Sequence, residues 1–65
     1  LSYSAKDLIA ILKKNGFEFK RSKGSHHIYE NQATGKITVV PVYGNKDFPK
    51  GTYYGILKQG GLNKD

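Results

Sequence analysis

His26 and His27 are the only imidazoles in this chain, and they directly follow a basic, glycine-bearing run, Lys20-Arg21-Ser22-Lys23-Gly24-Ser25. An imidazole, with an ordinary pKa of about 6.5, is partly neutral at cellular pH and can accept a proton. Adjacent residues of a strand point to opposite faces, so the two rings cannot jointly grip one reacting group or one metal ion. At most one of them belongs to a given site, and taken alone either reads as a surface or strand-packing residue. The chain has no cysteine, which removes a thiol nucleophile, a disulfide framework and a Cys-based zinc site. Two histidines with a few carboxylates and carbonyls form a poor metal-ligand set, so neither metal nor cofactor is expected.

Charge narrows the partners. The chain has 65 residues, with 11 Lys+Arg against 5 Asp+Glu and a net charge of +6. On so small a body this favours a polyanion or an acidic protein. The charge is concentrated: Lys13, Lys14, Lys20, Arg21 and Lys23 are opposed over that stretch only by Glu18. Apolar runs last a few residues, far short of the roughly 20 that a membrane-spanning helix needs. The opening LSYSAKDL has no basic-then-apolar leader pattern, and the expectation is a cytoplasmic protein.

The elements that must position these groups are short. Ser4-Ala5-Lys6-Asp7 is a capping box with Asp in place of Glu. It opens a helix whose Ala5, Leu8, Ile9, Ile11 and Leu12 form one apolar stripe. Asn15-Gly16 ends it, with Gly16 suited to a left-handed C-terminal position. Phe17–Arg21 reads as a strand with both phenylalanines on one face, and Ser22-Lys23-Gly24-Ser25 as a turn. His26–Glu30 reads as a second strand, on which His27 aligns with Tyr29 and His26 with Ile28; Tyr29 is expected to pack inward. Asn31–Gly35 is a polar turn, and Lys36–Val40 is β-branched enough for a third strand, which Pro41 limits. After a loop, a second helix starts at Lys50 or Gly51 and runs to about Gln59, with Tyr53, Ile56 and Leu57 on one face. Gly60-Gly61-Leu62 closes it with a glycine cap and an apolar residue folding back on the last turn.

The order is α-β-β-β-α in one expected domain over residues 1–65. Three antiparallel strands bury one face if both helices lie across it. The fold class is therefore α+β, a two-layer sandwich with the topology of double-stranded-RNA-binding domains. Val, Ile and Leu number 13 and Phe 3, a thin core for the entropy that folding must overcome. No surplus remains for a second apolar surface of any size unless a partner covers it.

Three blocks resemble one family. Gly24-Ser25-His26 opens the second strand, Val39-Val40-Pro41-Val42 runs into Gly44-Asn45-Lys46, and Lys50-Gly51-Thr52 precedes Ile56-Leu57-Lys58-Gln59-Gly60-Gly61-Leu62. In this order and spacing, with the Ser4–Gly16 helix and Phe17 ahead of them, they resemble the HicA toxins over nearly the whole chain. The resemblance implies the toxin half of a bacterial toxin–antitoxin pair. It implies a ribosome-independent mRNA endoribonuclease of double-stranded-RNA-binding-domain fold, with mRNA as substrate and a HicB-like antitoxin as the partner that shields the site. The catalytic histidine of the Gly-Ser-His block maps onto His26. Many members carry His where this chain has Tyr43, which speaks against a second catalytic histidine in that loop.

The implied chemistry suits the residues. RNA carries its own nucleophile, the 2′-hydroxyl, beside the scissile phosphate. The protein need only remove that proton, stabilise the phosphorane and hold the strand. His26 is the base in this reading. Arg21 and Lys23 bring positive charge to the phosphate, Gly24 admits the RNA backbone, and Ser25 donates a hydrogen bond to phosphate. In the implied fold the start of the last helix commonly meets phosphate, which adds Lys46 and Lys50. Tyr3, Tyr43, Tyr53 and Tyr54 are able to stack on bases, although Tyr53 sits on the packing stripe and Tyr54 off it. The bland readings remain beside these: turn residues at Gly24 and Ser25, solvated lysines at 46 and 50. The alternative function is a non-catalytic RNA-binding module of the same fold, which has no need of His26.

Overall fold

The capping signal at Ser4 is realised in the structure, a computed structural model describing residues 3–42, 44 and 47–62. The Ser4 hydroxyl accepts from the Asp7 backbone N–H at 3.2 Å, and helix α1 runs Ala5–Lys14. Asp7 in the first turn and Lys13 and Lys14 in the last suit the helix dipole. Leu8 and Leu12 are fully buried, with Ala5, Ile9 and Ile11 packed beside them. Gly16 takes φ +92°, the left-handed conformation that releases the chain into the sheet.

Strands β1 (Phe17–Lys23), β2 (His26–Asn31) and β3 (Lys36–Pro41) form one antiparallel sheet in the order β1-β2-β3. Helix α2 spans Lys50–Gln59. Its end is a Schellman motif: Leu62 N–H donates to the Leu57 carbonyl at 2.8 Å and Gly61 N–H to Lys58 at 2.9 Å, with Gly61 at φ +78°. Leu62 then packs against the core, as the sequence predicts.

Both helices cover the same sheet face. Phe17, Tyr29, Thr38 and Val40 are buried there against Leu8 and Leu12 of α1 and Tyr53, Ile56 and Leu57 of α2. Thr38 is fully buried. Its hydroxyl donates to the Ile56 carbonyl at 2.8 Å and lies 3.1 Å from Gln59 Oε1. Gln59 Oε1 also accepts from the Val39 backbone N–H, so α2 is fastened to β3 by bonds as well as by packing. Asn31 performs the same task for α1. Its Nδ2 donates to the Asn15 carbonyl at 3.0 Å, while its Oδ1 accepts from the Ala33 and Thr34 N–H groups. The sequence places Asn31 in a surface turn, but it ends β2 and is buried.

Two features of β1 also differ from expectation. The strand continues through Lys23, leaving only Gly24-Ser25 as the turn. Gly24 has φ +61°, and no residue other than glycine is positive among the described residues. A positive φ at the first central residue alone is the II′ hairpin pattern, which matches strand twist and needs two residues, not four. The pairing also shifts register between Phe19 and Arg21, so Lys20 is an extra, bulged residue.

Candidate nucleic-acid interface

The bulge decides what faces His26. In unbroken alternation, Arg21 and Lys23 would share the helix-covered face with Phe17 and Phe19. With Lys20 inserted, Phe19 still opposes Tyr29, but Arg21 opposes Ile28 and Lys23 opposes His26. Directly opposed residues of an antiparallel pair project to the same side, with Cβ atoms about 5 Å apart. Arg21 and Lys23 are thereby carried to the open face, where His26 is exposed. Lys20 joins them there and pairs with Glu30 at 2.8 Å. That pair is solvent-accessible and adds little stability. It does take one of the three cations out of play, leaving Arg21 and Lys23 nearest the imidazole.

His27 has a different setting. It opposes Val40, on the helix side, is half-buried, and meets the Phe19 ring edge-on at 5.6 Å. Phe19 also touches Tyr29 at 5.7 Å. It shares the inner face with Phe17, as the sequence predicts, yet it stays 51 % exposed. The expectation that Tyr29 packs inward, with His27 on its side, is met.

The Gly24-Ser25 turn is braced. Val42 N–H donates to the Ser25 carbonyl at 2.7 Å, continuing the β3 ladder one step past Pro41, which opposes His26 and has no N–H to give. The residue before His26 is therefore fixed from β3 as well as from the hairpin. No Cβ added at Gly24 would meet an atom within 4 Å, so the turn presents open backbone.

Both helices start at this same end of the sheet. Asn15, at the end of α1, is bonded to Asn31 at the far end of β2, so α1 begins toward the His26 end. Gly60 lies against Phe17 and Gly61 beside Lys36, so α2 likewise finishes at the far end and starts at the near one. Phe48 N–H donates to the Tyr3 carbonyl at 2.8 Å, tying the two approaches together. The N-cap of α2 is Pro49, with no side-chain cap bond and no acid in the first turn. Its dipole and first-turn N–H groups favour an anion. Lys50, the first helical residue, is exposed but belongs to a separate element from the His26 hairpin. Lys46 and Tyr43 lie outside the described residues, as does the tail 63–65.

The tyrosines divide as their helical positions predict. Tyr53 is buried, while Tyr54 is 38 % exposed. Tyr3 meets both rings edge-on, at 5.0 and 6.0 Å. Burial raises the pKa of Tyr53 above its ordinary value, with the neighbouring Tyr54 and Asp7 adding to the shift; burial alone raises that of Tyr29. Among the described residues no three His, Cys, Asp or Glu side chains are grouped so as to hold a metal ion. No described helix is long and apolar enough to cross a membrane.

The chain is thus an α-β-β-β-α sandwich with a basic open face and an exposed histidine beside a braced turn. Residues 5–62 match the model of the family described as HicA toxin of bacterial toxin–antitoxin, and this chain belongs to that family. The chain is also 43% identical, over 51 residues, to the "Probable mRNA interferase HicA" of Pseudomonas fluorescens (strain Pf0-1), covering 78% of this chain and 82% of that protein.

Proposed function

We propose that this chain is a ribosome-independent mRNA endoribonuclease, the toxin of a cytoplasmic toxin–antitoxin pair, with His26 as its general base and a HicB-like protein as its antitoxin. The observation that carries the reading is the cross-strand pairing of Lys23 with His26 on the open face. An exposed imidazole there stands next to a cation able to hold a phosphate. Arg21 flanks the pair from the same face, and the open backbone of Gly24 and the hydroxyl of Ser25 border it at the turn. Lys46 and Lys50, before and at the start of α2, add phosphate contacts farther along the strand, where an uncapped helix N-terminus already favours negative charge.

In the reaction, His26 takes the proton of the 2′-hydroxyl as O2′ attacks the adjacent phosphorus. The P–O5′ bond breaks, giving a 2′,3′-cyclic phosphate and, after protonation from water, a 5′-hydroxyl. Lys23 and Arg21 offset the charge that builds on the phosphorane oxygens. The name of the Pseudomonas relative supports RNA as the substrate, and family membership supports a dedicated antitoxin.

End-group analysis of cleaved RNA tests the mechanism. Cyclic phosphate and 5′-hydroxyl ends, formed equally well in excess chelator, are expected. Ends bearing 5′-phosphate, or cleavage that stops on chelation, would rule this chemistry out.

A further inference from the structure

Of the three phenylalanines in the chain, Phe17 and Phe48 are buried and Phe19 is not. It is the most exposed large apolar side chain among the described residues. A chain with so thin a core has left one of its few large rings half in water. The ring is nevertheless held. Phe19 opposes the buried Tyr29 and meets its ring edge-on at 5.7 Å, and the half-buried His27 meets it at 5.6 Å. Both contacts come from β2, the only neighbour of β1 in the sheet. Phe19 is thus fixed on its β2 side while half of its surface stays open to a ligand.

Its surroundings favour one kind of ligand. β1 is an edge strand, so its unpaired side is the border between two faces. The helix-covered face carries Phe19, and the open face carries Arg21 and Lys23. An RNA strand lying along that border sets its phosphates beside the two cations, and a base turned the other way meets the Phe19 ring. Lys23 opposes His26 and Phe19 opposes Tyr29, so ring and imidazole lie three residues apart along β2, roughly 10 Å. One short strand can engage both. Ser22, exposed and opposed to His27, projects to the Phe19 side, where its hydroxyl can donate to or accept from the edge of a base. A second copy would instead set a net charge of +6 against its own like.

Resting on the ribonuclease reading above, we propose that Phe19 is a stacking platform for an unpaired nucleobase of the substrate, on the opposite face of the sheet from His26. Stacking on a ring tolerates any base, because every base has a flat π-face. The platform therefore selects unpaired RNA, whose bases can be splayed out, over duplex, and not one sequence over another. Phe19 touches no reacting atom. It holds substrate and transition state alike, so its loss is read in KM more than in kcat.

The chain has no tryptophan, so Phe19→Trp puts a single indole reporter at the site. Wild type, Phe19→Trp and Phe19→Leu are titrated with two probes. One is a single-stranded 2′-O-methyl RNA oligonucleotide, which has no free 2′-hydroxyl to attack; the other is inorganic polyphosphate, which carries charge without bases. The oligonucleotide should quench the indole emission of Phe19→Trp, and polyphosphate should not. Phe19→Leu should bind the oligonucleotide at least about fivefold more weakly than wild type, the lower end for one lost stacking contact, with an unchanged salt slope. Its KM for RNA cleavage should rise by a similar factor, and its affinity for polyphosphate should match that of wild type. Wild type that neither cleaves RNA nor binds the oligonucleotide would defeat the ribonuclease reading, and the platform with it. If wild type cleaves RNA but quenching is absent and Phe19→Leu binds as tightly as wild type, the platform alone falls. Equal weakening toward both probes would assign Phe19 to the shape of β1. A concentration-dependent dimer of wild type that Phe19→Leu abolishes would assign it to a second copy. Either result overturns the proposal, and if one variant misfolds the other still decides.

Discussion

Replacing Asn31 by Ala removes one side chain and breaks three hydrogen bonds at once. The Asn15 carbonyl loses its donor, and the Ala33 and Thr34 N–H groups lose their shared acceptor, at a position only 9 % exposed. At about 0.5–1.5 kcal/mol for each bond the loss is roughly 2–4 kcal/mol. A chain of this size has a total stability of about 3–10 kcal/mol, so Asn31→Ala should take a large part of it. With about 4–8 °C for each kcal/mol in so small a domain, Tm should fall by roughly 8–32 °C. Asn31→Asp separates the contributions. It keeps the oxygen that accepts from Ala33 and Thr34, but sets a carboxylate against the Asn15 carbonyl, at a cost of about 1–3 kcal/mol. Thermal and urea unfolding followed by circular dichroism would measure both variants. Because Asn31 lies at the opposite end of β2 from His26, RNA cleavage per folded molecule should not change. A loss below about 0.5 kcal/mol for Asn31→Ala would refute the view that this side chain ties α1 to the sheet.

Two glycines of the last helix and its cap should respond with opposite signs. A Cβ added at Gly55 would meet nothing within 4 Å, so Gly55→Ala should stabilise by about 0.5–1 kcal/mol. Gly60→Ala would bring its methyl to 2.9 Å from Cζ of the buried Phe17 ring and should cost about 1–3 kcal/mol; urea midpoints measure both. In alkali, burial raises the pKa of Tyr29 and Tyr53 in the folded state. Their contribution is intact below the unfolded value of about 10 and is lost as pH climbs through the higher folded values. The share of the tyrosinate absorbance that Tyr29 and Tyr53 contribute should therefore appear together with loss of circular dichroism, not before it. Lys23→Ala should weaken RNA binding and reduce the slope of log K against log salt by about 0.7 for single-stranded RNA, as read from a salt titration.

Local signals made much of this fold legible. The Ser4–Asp7 cap, Gly16, the β-branched third strand and the Gly60-Gly61-Leu62 ending each act over a few residues, and each forms as the sequence predicts. What the sequence concealed depends on distant partners. Asn31 looks like a turn residue until Asn15, sixteen positions away, is seen beside it. Thr38 reads as one more β-branched residue until Ile56 and Gln59 arrive above it. Nothing in Glu18-Phe19-Lys20-Arg21 announces a bulge, because a bulge is a property of two paired strands. For the candidate site that gap matters most. Alternation could state that His26 and His27 part company, but the bulge is what brings Arg21 and Lys23 to the side of His26.

RNA cleavage by His26→Ala and His27→Ala, assayed side by side with wild type, decides whether the exposed imidazole is the base. His26→Ala should lose a factor of about 10²–10⁴ in rate with an unchanged unfolding curve. His27→Ala, which removes a ring packed against Phe19, should keep its cleavage and lose only stability. Wild-type cleavage by His26→Ala, or a collapse confined to a folded His27→Ala, would overturn the assignment.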